Sequence, residues 1–410
     1  MVRIPFYNGF VSSSYTTLVF LCCWITFASY FGSYMRMPIV PLYATYIGAD
    51  SFQVGLINSS FLLMAGLLSL PFGMLSDLIG RKILILSGLL ISAGTSFLFY
   101  FSSSPLQMVF IYLFFGIGLA AFAPTMMSFV TEVSPPSHLG RTYGWYTMAL
   151  YGGMSMGPAF AGYVAQCFGL LIVFLISGSL AFLLFWIVYF FLPRARLVAV
   201  RTHRNEITRD AARRVLRNRP LFSCWLVTLG GCFGLGMFVT FGPLHAHERG
   251  ISIGHIGVIF AAQAVSNALS RIPFGYLSDK VHNRANLVIP GLIGYALAIV
   301  CFGLSTNMIS FLASSALMGI SMGVAFTAVG ALISEVASPD TRGLAMGGYN
   351  TCVYFGMMLS SIGMGAWIRT AGFEQAFLLA AIINLTAALL FWLTSGLFGV
   401  VKPRSASPSK

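Results

Sequence analysis

Charged residues are scarce in this chain: they make up 8% of its 410 residues, while 58% are hydrophobic. An ordinary soluble domain carries about a quarter charged residues, so the composition excludes a soluble globule and indicates a polytopic membrane protein. The formal charge of +13 does not indicate nucleic-acid binding, because much of it lies in one interhelical segment and the C-terminal tail. We expect a lipid bilayer around the chain and no nucleic-acid partner.

Motifs of catalysis and metal binding are also missing. The seven cysteines lie inside apolar runs without metal-ligand spacing, and neither a phosphate-binding glycine loop nor a nucleophile motif is present. His245 and His247 stand two residues apart, which points their side chains to different faces of a helix, so we expect solvated interfacial histidines. We therefore expect no enzyme, no ATP-driven pump, no cofactor and no metal.

Acidic residues are absent from the interior of the apolar runs. All ten Asp and Glu lie between the runs or at their ends, so no buried carboxylate is available to carry a proton across a bilayer. The sequence leaves open whether the chain binds a coupling proton or another ion.

Twelve apolar runs are each long enough, at about 1.5 Å per residue, to cross a hydrocarbon core of roughly 30 Å as a helix. They are Tyr15–Tyr46, Phe52–Leu75, Ile83–Phe101, Leu106–Thr131, Gly140–Cys167, Leu170–Leu192, Leu221–His247, Ile253–Leu277, Asn286–Leu304, Met308–Val336, Arg342–Thr370 and Phe373–Val400. We therefore predict an all-α integral membrane protein with twelve transmembrane helices.

An arginine-rich segment divides the runs into two sets of six. It contains nine arginines against Glu206 and Asp210, too many charges for lipid. The predicted parts are a six-helix bundle at 1–193, this linker at 194–219, a second six-helix bundle at 220–401 and a tail at 402–410. Nineteen of the 23 Lys and Arg fall on the linker's side. The positive-inside rule then predicts a cell-membrane protein whose linker and both termini are cytoplasmic.

The two sets of six repeat one another. At an offset of 202 residues, Gly55 aligns with Gly257 and Pro71-Phe72-Gly73 aligns with Pro273-Phe274-Gly275. At an offset of 203, Glu132 aligns with Glu335. Shared hydrophobicity alone does not produce such matches, so we predict two pseudo-symmetric bundles.

The segment from Gly73 to Lys82 reads Gly-Met-Leu-Ser-Asp-Leu-Ile-Gly-Arg-Lys and forms a short charged turn between the second and third runs. It resembles the loop between helices two and three of the major facilitator superfamily of secondary transporters. The resemblance covers nearly the whole chain and implies transport by alternating access. A simpler alternative is that Arg81 and Lys82 only anchor the chain at the membrane face, but anchoring does not require Asp77.

The resemblance also implies a gate at this face, where an interfacial carboxylate such as Asp77 meets a helix end or an arginine and releases it when the bundles move. The second copy keeps the Gly and the Asp but has His-Asn-Arg in place of Gly-Arg-Lys. We expect Glu132 and Glu335 to pair with Arg81 or Arg342. The candidate gating residues are Gly73, Asp77, Gly80, Arg81, Lys82, Glu132, Gly275, Asp279, Glu335 and Arg342.

The fifth run resembles the glycine motif of the superfamily's antiporters. The matching residues are Gly144, Gly153, Gly157, Pro158 and Gly162. Two positions depart: Ala161 replaces an expected glycine, and Tyr112 stands in the fourth run where antiporters often carry arginine. Small residues four apart let helices approach closely, so this face is predicted to seal the cavity on one side. Generic helix packing remains the alternative.

Arg36 is a candidate substrate ligand. It lies twelve residues before Gly48, or about 18 Å along a helix, near mid-bilayer where an unpaired charge is costly. Ser29 and Ser33 share its helical face. An alternative is that Arg36 binds main-chain carbonyls where Pro38 loosens the helix.

Gln263, Asn267 and Arg271 recur every four residues in the eighth run and form a polar stripe that must face protein or water. They are candidate substrate ligands, although Arg271 is close enough to Asp279 to snorkel to the membrane face instead. Asn58 in the second run is a weaker polar candidate.

These features predict a monomeric secondary transporter for a small organic solute. The glycine motif favours efflux, and arginines without buried acids favour an organic anion or a drug-like compound. Two alternatives stay open: an uptake symporter or uniporter for an organic anion or nutrient, and a non-transporting sensor on a transporter scaffold.

Overall fold

The computed structural model describes residues 15–135, 138–193, 214–215, 217–281, 284–338 and 341–397. All regular structure in these residues is helical, as predicted. The helices are α1 Tyr15–Tyr46, α2 Ser51–Ile79, α3 Arg81–Tyr100, α4 Pro105–Val133, α5 Leu139–Phe168, α6 Leu170–Phe191, α7 Arg219–Glu248, α8 Ile253–Lys280, α9 Ala285–Gly303, α10 Met308–Val336 and the long stretch Arg342–Leu397. That stretch is interrupted at Gly372, whose φ of 79° is not helical. We number its two halves α11 (342–371) and α12 (373–397).

Polar caps fix the starts of four helices on one side of the molecule. The side chains of Asp50, Ser104, Ser252 and Asn307 each accept a hydrogen bond from the main-chain N–H three residues on. Such a bond satisfies one of the N–H groups that a helix start leaves unpaired. We call this side, where α2, α4, α8 and α10 begin, the far face. The opposite side, where α6 ends and α7 begins, is the linker face.

Ten stretches of the described chain are long and apolar enough to cross a membrane. The difference from twelve has two sources. The helices α11 and α12 count as one stretch, and α5 is not among the ten because it is rich in glycine, tyrosine and polar residues.

Each half of the chain forms a six-helix bundle with the same internal packing. In the first half α1 packs against α5, α2 against α4 and α3 against α6; the corresponding pairs in the second half are α7 with α11, α8 with α10 and α9 with α12. Between the bundles, α5 packs against α8 and α2 against α11. The repeat in the sequence is therefore a repeat in the structure. The predicted linker at 194–219 lies mostly outside the described residues.

The segment predicted as a charged turn is mostly helix. Gly73 and Asp77 lie within α2, Gly80 breaks the helix with a φ of 95°, and Arg81 begins α3. The helix α2 continues past the end of the apolar run, because charged side chains at the membrane face are solvated and do not require the helix to end. Only a residue that tolerates positive φ, such as Gly80, lets the chain reverse within one residue. Asp279 likewise lies within a helix, α8.

Candidate functional site: the crevice between the two bundles

The two bundles meet tightly at the far face. Where α5 meets α8, a Cβ added to Gly257 would overlap the carbonyl oxygen of Pro158, and one added to Gly162 would lie 2.8 Å from a carbonyl oxygen of α8. The repeat-related contact joins α2 to α11, where Gly55 lies against the main chain of Ser361. Helix main chains come this close only where the side chain is a hydrogen. These contacts seal the crevice between the bundles at the far face.

Polar contacts reinforce the seal between the bundles. The side-chain oxygen of Gln166, near the end of α5, accepts a hydrogen bond of 3.0 Å from the main-chain N–H of Gly254 at the start of α8. An ion pair of 3.6 Å joins Arg369 of α11 to Asp50, the cap of α2. In addition, α1 packs against α7.

The same four helices pack less closely toward the linker face, although a Cβ added to Gly347 of α11 would lie 2.7 Å from Leu70 Cδ1 of α2. Gly73 of α2, Gly140 and Gly144 of α5, Gly275 of α8 and Gly343 of α11 have no atom within 4 Å of an added Cβ. Within the described residues, α4 and α10 show no packing comparable to that of α1 with α7. The crevice is therefore closed at the far face and open at the linker face.

Tyrosines line the middle of the crevice. Tyr30 and Tyr34 are one turn apart on α1, with ring centroids 6.2 Å apart. Tyr34 lies near Tyr151 of α5 and Tyr354 of α11, and Tyr349 of α11 also lies near Tyr151. All five side chains are half-buried, as expected at a cavity wall. Their rings offer stacking surfaces and their hydroxyls offer hydrogen bonds.

Arg271 supplies positive charge beside these tyrosines. Its Nε donates a 2.9 Å hydrogen bond to the side-chain oxygen of Asn267, and its guanidinium carbon lies 4.8 Å from the centre of the Tyr151 ring. Asn267 is one turn nearer the far face, so Arg271 does not extend along α8 toward the linker face. Among the described residues no carboxylate pairs with it. Two contacts therefore orient the half-buried guanidinium of Arg271. Its terminal nitrogens do not pair with a carboxylate of the described residues.

The other polar residues predicted on α8 also face protein. Gln263 Nε2 lies 3.3 Å from the sulfur of Met322 on α10, and Asn267 is buried. Asn58 of α2 is buried as well, and its Nδ2 has no hydrogen-bond partner within the described chain. Of the predicted polar set, Arg271 is the member that the structure places beside the tyrosines.

The structure corrects the position expected for Arg36. Its side chain is fully enclosed in the first bundle, where one nitrogen donates to Ser92 Oγ of α3 at 3.1 Å and the guanidinium carbon lies 4.1 Å from the centre of the Phe115 ring of α4. Tyr34 faces the crevice, and Arg36, two residues on, points about 200° away around the helix. The predicted depth did not determine this direction. The proposed binding of kink carbonyls is also absent from its contacts in the described chain.

Two ion pairs tie helix ends together at the linker face, one in each bundle. Arg81 Nε lies 2.7 Å from Glu132 Oε2, and Arg284 Nε lies 3.1 Å from Glu335 Oε1. At an offset of 203 these pairs are equivalent, so Arg284 is the counterpart of Arg81 and not of Lys82. The second copy of the segment therefore keeps the arginine of the motif. The sequence comparison missed this because one extra residue before Arg284 shifts the alignment.

The remaining gating candidates lie at the same face. The helices place Asp77, Asp279 and Arg342 near their linker-face ends, and the side chains of these three lie outside the described part. Lys82 Nζ donates a 2.8 Å hydrogen bond to the carbonyl oxygen of Tyr189, near the end of α6. A cation at a helix C-terminus is favourable, so Lys82 stabilises the end of α6. The gating role of all these residues stays a prediction.

The glycine motif divides between two contacts. Gly153 and Gly157 lie against the main chain of α1 inside the first bundle, whereas Gly162 lies against α8 across the crevice. Gly144, near the linker face, has open space around it.

The tyrosines of the crevice were not predicted from the sequence. A signal was present, because Tyr30 and Tyr34 are four residues apart and Tyr143 and Tyr151 eight apart, which are same-face spacings on a helix. Spacing alone does not tell whether such a face meets lipid or a crevice.

Two pseudo-symmetric six-helix bundles around a crevice that is open at one face form the architecture of a secondary transporter. The family model described as Major Facilitator Superfamily matches residues 22–253 and 233–410. The chain belongs to the Major Facilitator Superfamily, and it is an integral membrane protein of this transporter family.

Relatives of known sequence and structure agree with this membership. The chain is 25% identical over 378 residues to an uncharacterized MFS-type transporter of Methanocaldococcus jannaschii, covering 90% of this chain and 96% of that protein. It is 25% identical over 292 residues to the multidrug resistance protein MdtG of Salmonella schwarzengrund, covering 69% and 71% of the two chains.

Two solved structures share the fold. A bacterial homolog of the human lysosomal transporter Spinster, in an inward-facing and unoccupied conformation, superposes with a TM-score of 0.83 at 16% identity, covering 97% of this chain and all of that one. The nucleoside transporter NupG superposes with a TM-score of 0.76 at 15% identity, covering 92% and 98%.

Proposed function

We propose that this protein exports a small organic anion or an anionic drug-like compound by alternating access, with the substrate bound in the crevice beside Arg271. The observation that carries the proposal is the arrangement of Arg271, which Asn267 and Tyr151 orient and which no described carboxylate neutralises. A charged group in a membrane crevice requires a partner. A substrate carboxylate, sulfonate or phosphate would supply that partner through charge-assisted hydrogen bonds.

Two observations support efflux. The glycine motif of α5 resembles that of the superfamily's antiporters, and one relative is named a multidrug resistance protein. Most basic residues lie on the linker side, so the positive-inside rule makes the open linker face cytoplasmic. In this state an exporter loads its substrate and an importer releases it.

The orientation can be tested by itself. A cysteine introduced at Asn205, in the linker outside the described residues, should not react with a membrane-impermeant reagent applied to intact cells and should react after lysis. Reaction of this cysteine in intact cells would place the linker outside the cell and would reverse the proposed direction of transport.

Substrate class can be tested with a panel of aromatic carboxylates, each matched to its neutral carboxamide. A ligand that binds the folded state raises its melting temperature by mass action, so carboxylates should stabilise the protein more than their amides. Arg271→Gln should weaken carboxylate binding about tenfold to a hundredfold, because hydrogen bonds to charged groups contribute about 1.5–3 kcal/mol.

Arg36→Gln is the matched control. Arg36 is enclosed away from the crevice, so its replacement should lower stability without changing the preference for carboxylate over amide. If Arg271→Gln binds the carboxylates as tightly as the wild type, the anion site is wrong. The direction of transport can then be measured in proteoliposomes with the best binder. Movement from the linker face to the far face is export, and movement from the far face to the linker face would support the importer alternative.

A further inference from the structure

His245, near the end of α7, differs from the other described histidines. Its side chain is 1% exposed, whereas His138, His247 and His255 are exposed. The solvated interfacial position expected for it from the sequence is wrong, because its side of the last turn of α7 packs against α9, α10 and α12.

Phenyl rings surround His245 on several sides. Ring centroids lie 5.3 Å away for Phe377, 5.6 Å for Phe311 and for Phe373, and 6.2 Å for Phe302. We call these four phenylalanines, contributed by α9, α10 and α12, the phenyl cage. Within the described chain, Nε2 of His245 has no hydrogen-bond partner. Because buried polar atoms are nearly always paired, an unpaired ring nitrogen in an apolar cage requires an explanation.

The position equivalent to His245 in the first bundle holds a side chain whose polar atom is paired. At the repeat offset of 202, the counterpart of His245 is Tyr43, whose hydroxyl donates a 2.6 Å hydrogen bond to the carbonyl oxygen of Ser102. Tyr43 packs on Phe174, at a ring distance of 5.5 Å, and Phe174 is the counterpart of Phe377. The two pockets share an aromatic wall. The second holds an imidazole whose Nε2 has no partner among the described residues, whereas the first holds a paired hydroxyl.

A short segment joins the cage to the contact between the bundles. Arg369, at the end of α11, pairs with Asp50 of the first bundle. A few residues later, Phe373 closes the cage and Glu374 pairs with Arg249 at the end of α7. The pair between Asp50 and Arg369 joins the two bundles, so separation at the far face removes the contact of this segment with the first bundle.

The charged groups around the ring decide which proton state each arrangement favours. Arg249 follows α7 and Glu374 lies at the start of α12; the two form an ion pair, and Arg249 acts more strongly on the ring than Glu374 does. From α9 and α10 the ring meets phenyl rings and the main chain of Phe302 and Gly303. In the closed cage Nε2 has no hydrogen-bond partner among the described residues, so a proton on it would be a buried charge without one, which is unfavourable. In the opened cage the charged ring gains water, the phenyl faces and Glu374.

We propose that His245 is a proton-binding site of the far face, which takes up a proton from far-side water when the bundles separate and thereby holds that face open. Nε2 gains the proton on opening and returns it to the same side on closing, so the step balances without a second reactant. Linkage requires the effect to be mutual: opening favours protonation, and acid favours opening. The proposal stands independently of the identity of the substrate.

The test measures the far-face distance as a function of pH. Spin labels at Phe101 and Leu304, exposed repeat counterparts at the far-face ends of α3 and α9, report separation of the bundles in nanodiscs. Between about pH 8 and about pH 5, which bracket the ordinary histidine titration, the wild type should shift toward the longer distance. We expect a roughly tenfold change in the ratio of open to closed, which corresponds to a tenfold difference in proton affinity between the two states.

Three variants locate the response. His245→Tyr installs the group that the first bundle uses, and His245→Gln keeps a neutral polar side chain; both should lose the pH dependence. His247→Gln, which removes an exposed histidine of the same helical turn, should keep it. If His245→Gln does not fold, His245→Tyr decides alone. A wild type that does not respond to pH, or a His245→Tyr variant that responds as fully as the wild type, would overturn the proposal.

Discussion

The helices α2, α5, α8 and α11 differ at their two ends. At the far face Gly55, Gly162 and Gly257 bring main chains of the two bundles into contact, while at the linker face Gly73 and Gly144 stand in open space. The helices and the residue type are the same, so glycine alone does not produce closure. The difference indicates that each set of glycines serves one of two states, and that the linker-face set is packed when the far-face set is not.

The largest expected effect comes from Gly257→Leu at the far face. Its Cβ would overlap the carbonyl oxygen of Pro158. Overpacking costs about 1–3 kcal/mol, which shifts the balance of closed and open far face by about fivefold to somewhat over a hundredfold. A cysteine placed near the far face should therefore react faster in this variant. Unchanged reactivity in the folded variant would show that the glycine contact does not hold the far face closed.

The matched change at the linker face is Gly144→Leu. Nothing lies within 4 Å of its Cβ in this state, so thermal stability and far-face closure should be close to wild type. Transport should nevertheless be lost, because the added side chain blocks closure of the linker face. Wild-type transport by this variant would show that α5 does not take part in closing the linker face.

A smaller effect is expected at Asp77, near the linker-face end of α2. Asp77→Asn should lower the maximal transport rate roughly tenfold, within a coupling free energy of about 1–3 kcal/mol, and should leave substrate affinity nearly unchanged. A latch biases the two states without touching the substrate. A well-expressed variant with the wild-type maximal rate would exclude a gating role for Asp77.

The smallest effect is expected at Gln166, which accepts a hydrogen bond from Gly254 across the far face. Loss of one such bond contributes about 0.5–1.5 kcal/mol. Gln166→Ala should therefore raise far-face cysteine reactivity only a few-fold, well below the effect of Gly257→Leu. If the order of the two effects is reversed, polar contacts and not glycine packing hold the seal.

Helix positions followed closely from the sequence, because long apolar runs leave little choice in a bilayer. The first run was predicted at Tyr15–Tyr46 and is found there. The start of α9 was harder, because one extra residue before Arg284 shifts the repeat from an offset of 202 to 203. Only the ion pair with Glu335 reveals the correct alignment.

The direction of side chains around each helix could not be predicted as well. Arg36 was predicted to face the substrate, but its side chain points into the first bundle and away from the crevice. The burial of His245 was missed for the same reason. In a membrane protein every face of a helix can be apolar, so the amphipathic pattern that orients helices in soluble proteins is weak. Tertiary packing decides which face meets the crevice.

The central claim is that the two faces close in alternation. Two pairs of spin labels test it in a variant with Cys167 and Cys301 changed to serine: Phe101 with Leu304 at the far face, and Phe190 with Leu393 at the linker face, all four exposed. Gly257→Leu should lengthen the far-face distance and, in the same molecules, shorten the linker-face distance. A longer far-face distance with an unchanged or longer linker-face distance would mean that the bundles simply separate, and it would contradict alternating closure.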